Sequence, residues 1–126
     1  MVRTISTSDA PAAVGAYSQA TTDGNLVFTA GQLPATADGE ILTDAPIGEQ
    51  TAQALDNVEA VLAAEGLDMG DVLKVTVLLD DIDDFEEMND VYASYFDADP
   101  PARSAFEAAA LPKGVGVEIE AIAADS

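Results

Sequence analysis

The eight residues Val72-Leu73-Lys74-Val75-Thr76-Val77-Leu78-Leu79 constrain this chain more than any other stretch. They are too few for a buried helix, rich in β-branched side chains that suit a pleated backbone, and bounded by Asp71 and Asp80. Such a run predicts a central strand. A strand of this kind needs a layer over it, and the flanking segments supply two helical patterns. One runs from Pro46 to Glu65, with Ile47, Leu55, Val58, Val61 and Leu62 on one face, Asp44 as cap and Gly66 as stop. The other opens with the capping-box spacing Asp83 to Glu86, carries Phe85, Met88, Tyr92, Tyr95 and Phe96 on one face, and stops at Pro100-Pro101.

The remaining elements are strands. Arg3 to Thr7 alternates weakly, Asn25 to Gln32 is clearer, and Ala37-Asp38-Gly39-Glu40 marks a turn before a short return at Ile41. Ser104 to Ala110 and Val115 to Ala123 complete the set, joined by Leu111-Pro112-Lys113-Gly114. The order is β-β-α-β-α-β-β without repeat or linker, which predicts one α+β domain over 1–126 with two helices layered on one sheet.

Charge narrows the function. Four Lys and Arg face 24 Asp and Glu, a net charge of −20. The acids are spread along the chain (Asp23, Asp38, Glu49, Glu65, Asp80, Glu86, Asp97, Asp125) rather than gathered in a tail. Self-repulsion at this density weakens a compact state in dilute buffer, and molar salt, with a Debye length of roughly 3 Å, removes most of it. The expectation is a protein of a high-salt cytoplasm. Phosphate binding runs on clustered cations, so nucleic acid is an unfavourable partner. No stretch approaches a membrane span, and Met1 to Pro11 lacks the apolar core of a signal peptide, so no membrane partner is expected.

The chain has no histidine and no cysteine, which excludes Ser-His-Asp and Cys-His catalysis and thiolate or imidazole zinc sites. Acid–base work falls to carboxylates, tyrosines, a lysine or a bound water. Asp80-Asp81-Ile82-Asp83-Asp84 lacks EF-hand spacing and its turn glycine, and is read as a solvated loop and helix cap. Neither metal nor organic cofactor is expected.

Arg103, in Pro101-Ala102-Arg103-Ser104, stands out in so acidic a chain. Its planar fork suits a carboxylate, hence a small organic acid, although a structural ion pair with one of many acids is as good an account. Alternation puts Arg103, Ala105 and Glu107 on one strand face, and Glu118 and Glu120 together on a face of the last strand. These glutamates either meet solvent, Lys113 or Lys74, or one lies near Arg103 and holds a water. Spacing does not choose. Tyr17, in Gly15-Ala16-Tyr17-Ser18-Gln19, is a packing or ligand residue, and Asn89 is first a buried hydrogen-bonding residue.

Together these segments resemble the RidA (YjgF-type) family of enamine/imine deaminases. The resemblance runs through Gly15-Ala16-Tyr17-Ser18-Gln19-Ala20, Ala30-Gly31-Gln32, Asp56-Asn57-Val58, Asp71 to Val77, Asp84-Phe85 with Met88-Asn89 and Tyr92, Pro101-Ala102-Arg103-Ser104, Leu111-Pro112-Lys113-Gly114 and Val117 to Ala123. It implies a chorismate-mutase-like fold with a mixed sheet, assembled as a homotrimer with sites in clefts between subunits. It implies hydrolysis of 2-iminobutanoate or 2-iminopropanoate to a 2-oxo acid and ammonia, without a cofactor. Arg103 would bind the substrate carboxylate, Glu118 would handle the hydrolytic water, Tyr17 would line the pocket, and Gly31 and Asn89 would contribute to binding. The chain departs from the family pattern at Ala16 (usually proline), Ala30 (often serine) and Ala105 (often cysteine). A non-catalytic carboxylate-binding module is the alternative. An RNA-directed activity, proposed for some relatives, fits the charge worst, and shared fold alone does not argue for a mutase.

Overall fold

A computed structural model describes residues 2–96 and 98–125; Met1, Asp97 and Ser126, among them one of the acids named above, lie outside the described residues. Six strands form one mixed sheet, covered on one face by two helices. The strands are β1 (Arg3–Ile5), β2 (Ala20–Thr22), β3 (Leu26–Thr29), β4 (Val72–Leu79), β5 (Ala102–Glu107) and β6 (Val117–Ala124), in the spatial order β1-β2-β3-β6-β4-β5. Only β4 and β5 pair in parallel; the other neighbours are antiparallel. The helices are α1 (Ile47–Ala63) and α2 (Phe85–Ala93). The expected α+β layer is therefore present, with one strand more than expected. Three-residue β2 follows the loop that carries Tyr17.

β4 lies in the interior of the sheet, as its composition predicts. Val75, Val77 and Leu79 point into the helix-covered core with no more than 1% exposure, alongside Val117, Ile119 and Ala123 of β6. Leu55, Val58, Val61 and Leu62 of α1 close that core from above, joined by Met88 and Tyr92 of α2. Burial of each such aliphatic side chain contributes on the order of 1.5–3 kcal/mol, which makes this layer the main source of stability. Leu78 and Thr76 alternate onto the uncovered face.

The helix ends differ from expectation. α1 begins after Pro46 without a side-chain cap: the proline fixes the entry and lacks a donor, and Asp44 is not the cap of this helix. Gly66, at φ +78, adopts the left-handed stop that its position predicts. Ahead of α2, Asp81 rather than Asp83 caps a 3-10 turn over Ile82–Asp84, accepting a bond from the Asp83 amide, and the expected Asp83–Glu86 box does not form.

Two buried amides tie α1 to neighbouring loops. Asn57 donates to the carbonyls of Leu33 (3.1 Å) and Ala35 (2.8 Å). Gln50 donates to Ala45 O at 2.9 Å and accepts from the Gly116 amide at 2.8 Å. The expected return at Ile41 is reduced to a single bridge with Ala35, and Gln32 pairs with Ile119 near the start of β6.

Candidate functional site

The register of the sheet decides which candidate residues can meet. Val75 lies between Ala121 and Arg103, and Leu78 between Glu118 and Phe106. Laterally paired residues project to the same side. Arg103 is therefore on the helix-covered face with Val75, and Glu118 is on the uncovered face with Leu78 and Phe106. Within one copy of the chain the sheet stands between them. The sequence-level possibility that Glu118 lies near Arg103 is not met inside a single chain. What the chain presents instead is two separate clefts.

The first is an open cleft of about 660 Å³, whose wall includes Tyr17, Gly31, Leu33, Ile41, Lys113 and Glu118. Gln19 holds the loop that carries Tyr17: its Nε2 donates to the carbonyls of Pro11 (2.8 Å) and Thr7 (3.1 Å), and its Oε1 accepts from the Thr7 amide at 2.7 Å. The loop is thus anchored although Ala16 lacks the stiffness of proline. The Tyr17 side chain itself is 55% exposed.

Glu118 is half-buried against Gly31. A Cβ at Gly31 would overlap the Glu118 Oε2 and lie 2.9 Å from its Cδ, so only a glycine lets the carboxylate rest there. Paired bonds between Gln32 and Ile119 (2.7 and 3.1 Å) fix the two backbones against each other. Burial, and secondarily the charge of Glu120, push the Glu118 carboxyl above its usual range. Among the described residues the ion pair is Arg3 with Glu65, so neither Lys113 nor Lys74 neutralises Glu118. Lys113 nevertheless borders the cleft, in a left-handed conformation (φ +61) with its carbonyl accepting from the Thr43 hydroxyl. A carboxylate that resists ionisation and has open space before it is suited to accepting and returning a proton.

The second is a cleft of about 370 Å³ lined by Asn89, Tyr92, Ala93, Phe96, Pro100, Pro101 and Arg103. Its cation is not half of an ion pair among the described residues. Arg103 Nη1 donates to the neutral Asn89 Oδ1 at 2.6 Å, and the guanidinium carbon lies 4.7 Å from the Tyr92 ring centre and 5.3 Å from that of Phe85. These contacts hold the fork without neutralising it, which leaves its charge for an anion.

The structure thus unites Tyr17, Gly31 and Glu118 in one cleft and Arg103 with Asn89 in another. Sequence reasoning missed Phe85 and Tyr92 as neighbours of Arg103, because both fit the apolar stripe of α2. It also missed Asn57 as a support of the cleft wall at Leu33 and Ala35; a buried amide amid the apolar positions of α1 was the available signal. Among the described residues no cluster of acids has the arrangement of a metal site.

The family model described as Endoribonuclease L-PSP matches residues 7–125. A RutC family protein of Pyrococcus horikoshii is 48% identical over 123 residues, covering 98% of each chain. A protein of Escherichia coli K12 named 2-iminobutanoate/2-iminopropanoate deaminase is 46% identical over 127 residues, again covering 98% of each. The crystal structure of E. coli TdcF with bound serine matches with a TM-score of 0.93 at 44% identity, over 98% of this chain and 99% of that one.

Proposed function

Because this chain belongs to the RidA/YjgF family, whose model carries the description Endoribonuclease L-PSP, we propose that it hydrolyses reactive 2-imino acids to 2-oxo acids and ammonia. 2-Iminobutanoate and 2-iminopropanoate are the proposed substrates. The observation that carries this reading is the Glu118 carboxylate, set half-buried over Gly31 beside an open cleft, with its acidity weakened by burial.

In the proposed reaction Glu118 takes a proton from water as the water oxygen bonds to the imine carbon. That proton passes to the imine nitrogen to complete the carbinolamine; Glu118 then takes the carbinolamine hydroxyl proton and delivers it to the nitrogen as the C–N bond breaks, the carbonyl forms and ammonia leaves. Arg103 grips the substrate carboxylate through its fork, and Tyr17 lines the pocket. The substrate is already electrophilic, so positioning supplies much of the acceleration. Nothing in this sequence of steps calls for histidine, cysteine or a cofactor.

Arg103 and Glu118 occupy opposite sheet faces, so the reading takes each complete cleft from two copies, in the homotrimer that the family resemblance implies. Phe28 and Phe106, 45% and 52% exposed on the Glu118 face, support a covering partner there. We further propose that the charge of −20 adapts the protein to a high-salt cytoplasm. The same charge weighs against the RNA-directed activity in the family description.

The test is ammonia release from dehydratase-generated 2-iminobutanoate in molar KCl. Wild type should accelerate it and Arg103→Ala should not. Equal rates from the two proteins sink the proposal, and ligand binding without turnover identifies a carboxylate-binding module instead.

A further inference from the structure

Phe85, Asn89 and Tyr92 lie four and three residues apart, on one stripe of α2, and all three reach Arg103 on β5. Tyr92 is 4% exposed, and its ring lies 4.9 Å, centre to centre, from Phe96 at a tilt of 40°, so the ring cannot move freely. We propose that Tyr92 and Asn89, assisted by Phe85, are positioning residues that fix the guanidinium plane of Arg103 before the substrate arrives. This deepens the proposed function and rests on its assignment of Arg103 to the carboxylate.

The physical need is specific. An arginine side chain has several rotatable bonds, and a free one would surrender their freedom on gripping a ligand. Here the cost is met during folding. The aromatic face lies at cation–π distance from the guanidinium, and Asn89 takes one Nη1 hydrogen at 2.6 Å. A fork has five N–H donors, so the Asn89 bond leaves an edge for a carboxylate. Asn89 is thereby reassigned from substrate contact to a residue that acts through Arg103. The Tyr92 hydroxyl is buried without a hydrogen-bond partner among the described residues, so the ring rather than the oxygen is the working part.

Two readouts separate this from a merely structural role. The first is the affinity for 2-oxobutanoate, the reaction product, measured by titration calorimetry in molar KCl. Tyr92→Leu should weaken it by roughly 2- to 30-fold, the range of one cation–π contact. The conservative Tyr92→Phe should restore most of that loss, and Asn89→Ala should weaken binding with the fold intact by circular dichroism. Combining Asn89→Ala with Arg103→Lys should add little to Arg103→Lys alone, since both act on one fork.

The second readout needs no substrate. Arg3 and Arg103 are the only arginines, so a nitrogen-15 spectrum shows two Nε–H signals, and Arg103→Lys identifies one. That signal should carry a ring-current shift and lose it in Tyr92→Leu, or in Phe85→Leu should the former not fold. An unshifted Arg103 signal in the wild-type protein overturns the clamp whatever the activity. So does unchanged 2-oxobutanoate affinity in folded Asn89→Ala. A shifted signal in a wild-type protein that releases no ammonia upholds the clamp and overturns the deaminase reading instead.

Discussion

Gly31→Ala should separate activity from stability. The added Cβ would lie 2.9 Å from Glu118 Cδ and 3.1 Å from its Cγ, and would overlap Oε2. Comfortable carbon–carbon contact begins near 3.5 Å, so Cδ must retreat by roughly 0.6 Å and the carboxylate oxygen, further out on the same lever, by about 1 Å or more. The backbone need not move. Gly31 is absent from the positive-φ glycines, and Glu118 is a flexible side chain facing an open cleft. Alanine at a compatible position raises stability by about 0.4–1 kcal/mol through the unfolded chain, so the melting temperature should hold or rise slightly. A displacement near 1 Å of a proton-transferring group costs on the order of 100-fold in rate. Ammonia release and thermal scans, run in the same molar KCl, read the two quantities side by side. Adding Gly31→Ala to Glu118→Ala should cost nothing further, since the displaced group is already gone. Near wild-type turnover from Gly31→Ala would refute the placement of Glu118 as the proton carrier, and loss of the fold would refute the claim that the side chain yields rather than the backbone.

Other perturbations follow from charge. Glu118 must be ionised to accept a proton, and its raised pKa places the acid limb of the rate profile above the ordinary glutamate range. Glu120→Gln removes the second cause of the shift, so the limb should move toward lower pH; a limb that stays put would mean that Glu120 is not coupled to it. For stability the sign is opposite to that of a salt-bridged acid. What Glu118 contributes is present below its unfolded value and is lost as pH rises through the raised one, so Glu118→Gln should melt higher than wild type at neutral pH. The net charge of −20 predicts a melting temperature that climbs from dilute to molar KCl, by about 4 °C for each kcal/mol of repulsion screened; equal values in both would defeat the salt-adaptation reading.

How much was legible in the sequence depended on the range of the cause. Val72–Leu79 declared a strand because its composition and its bounding aspartates are local, and α1 announced itself through a stripe ending at Gly66. β2 was not legible: Ala20-Thr21-Thr22 has no alternation of its own and is a strand because β1 and β3 lie on either side. Arg103 and Glu118 could each be singled out from the scarcity of cations and the apolar setting of the acids. Their relation could not, since alternation sorts residues within one strand whereas the register Val75–Arg103 and Leu78–Glu118 sorts them between strands. Tyr92 looked like core because it is core; its second employment against Arg103 required the packing of α2 on β5.

The division of Arg103 and Glu118 between the two faces of one sheet also bears on inheritance. If each cleft draws its arginine from one copy and its glutamate from the next, a chain lacking Arg103 and a chain lacking Glu118 are each inert alone, yet not inert together. Co-refolded in equal amounts, they would regenerate roughly one intact cleft in four, where an arginine-bearing face meets a glutamate-bearing one. Two null alleles could then complement within one cell, and a single copy carrying both lesions could not.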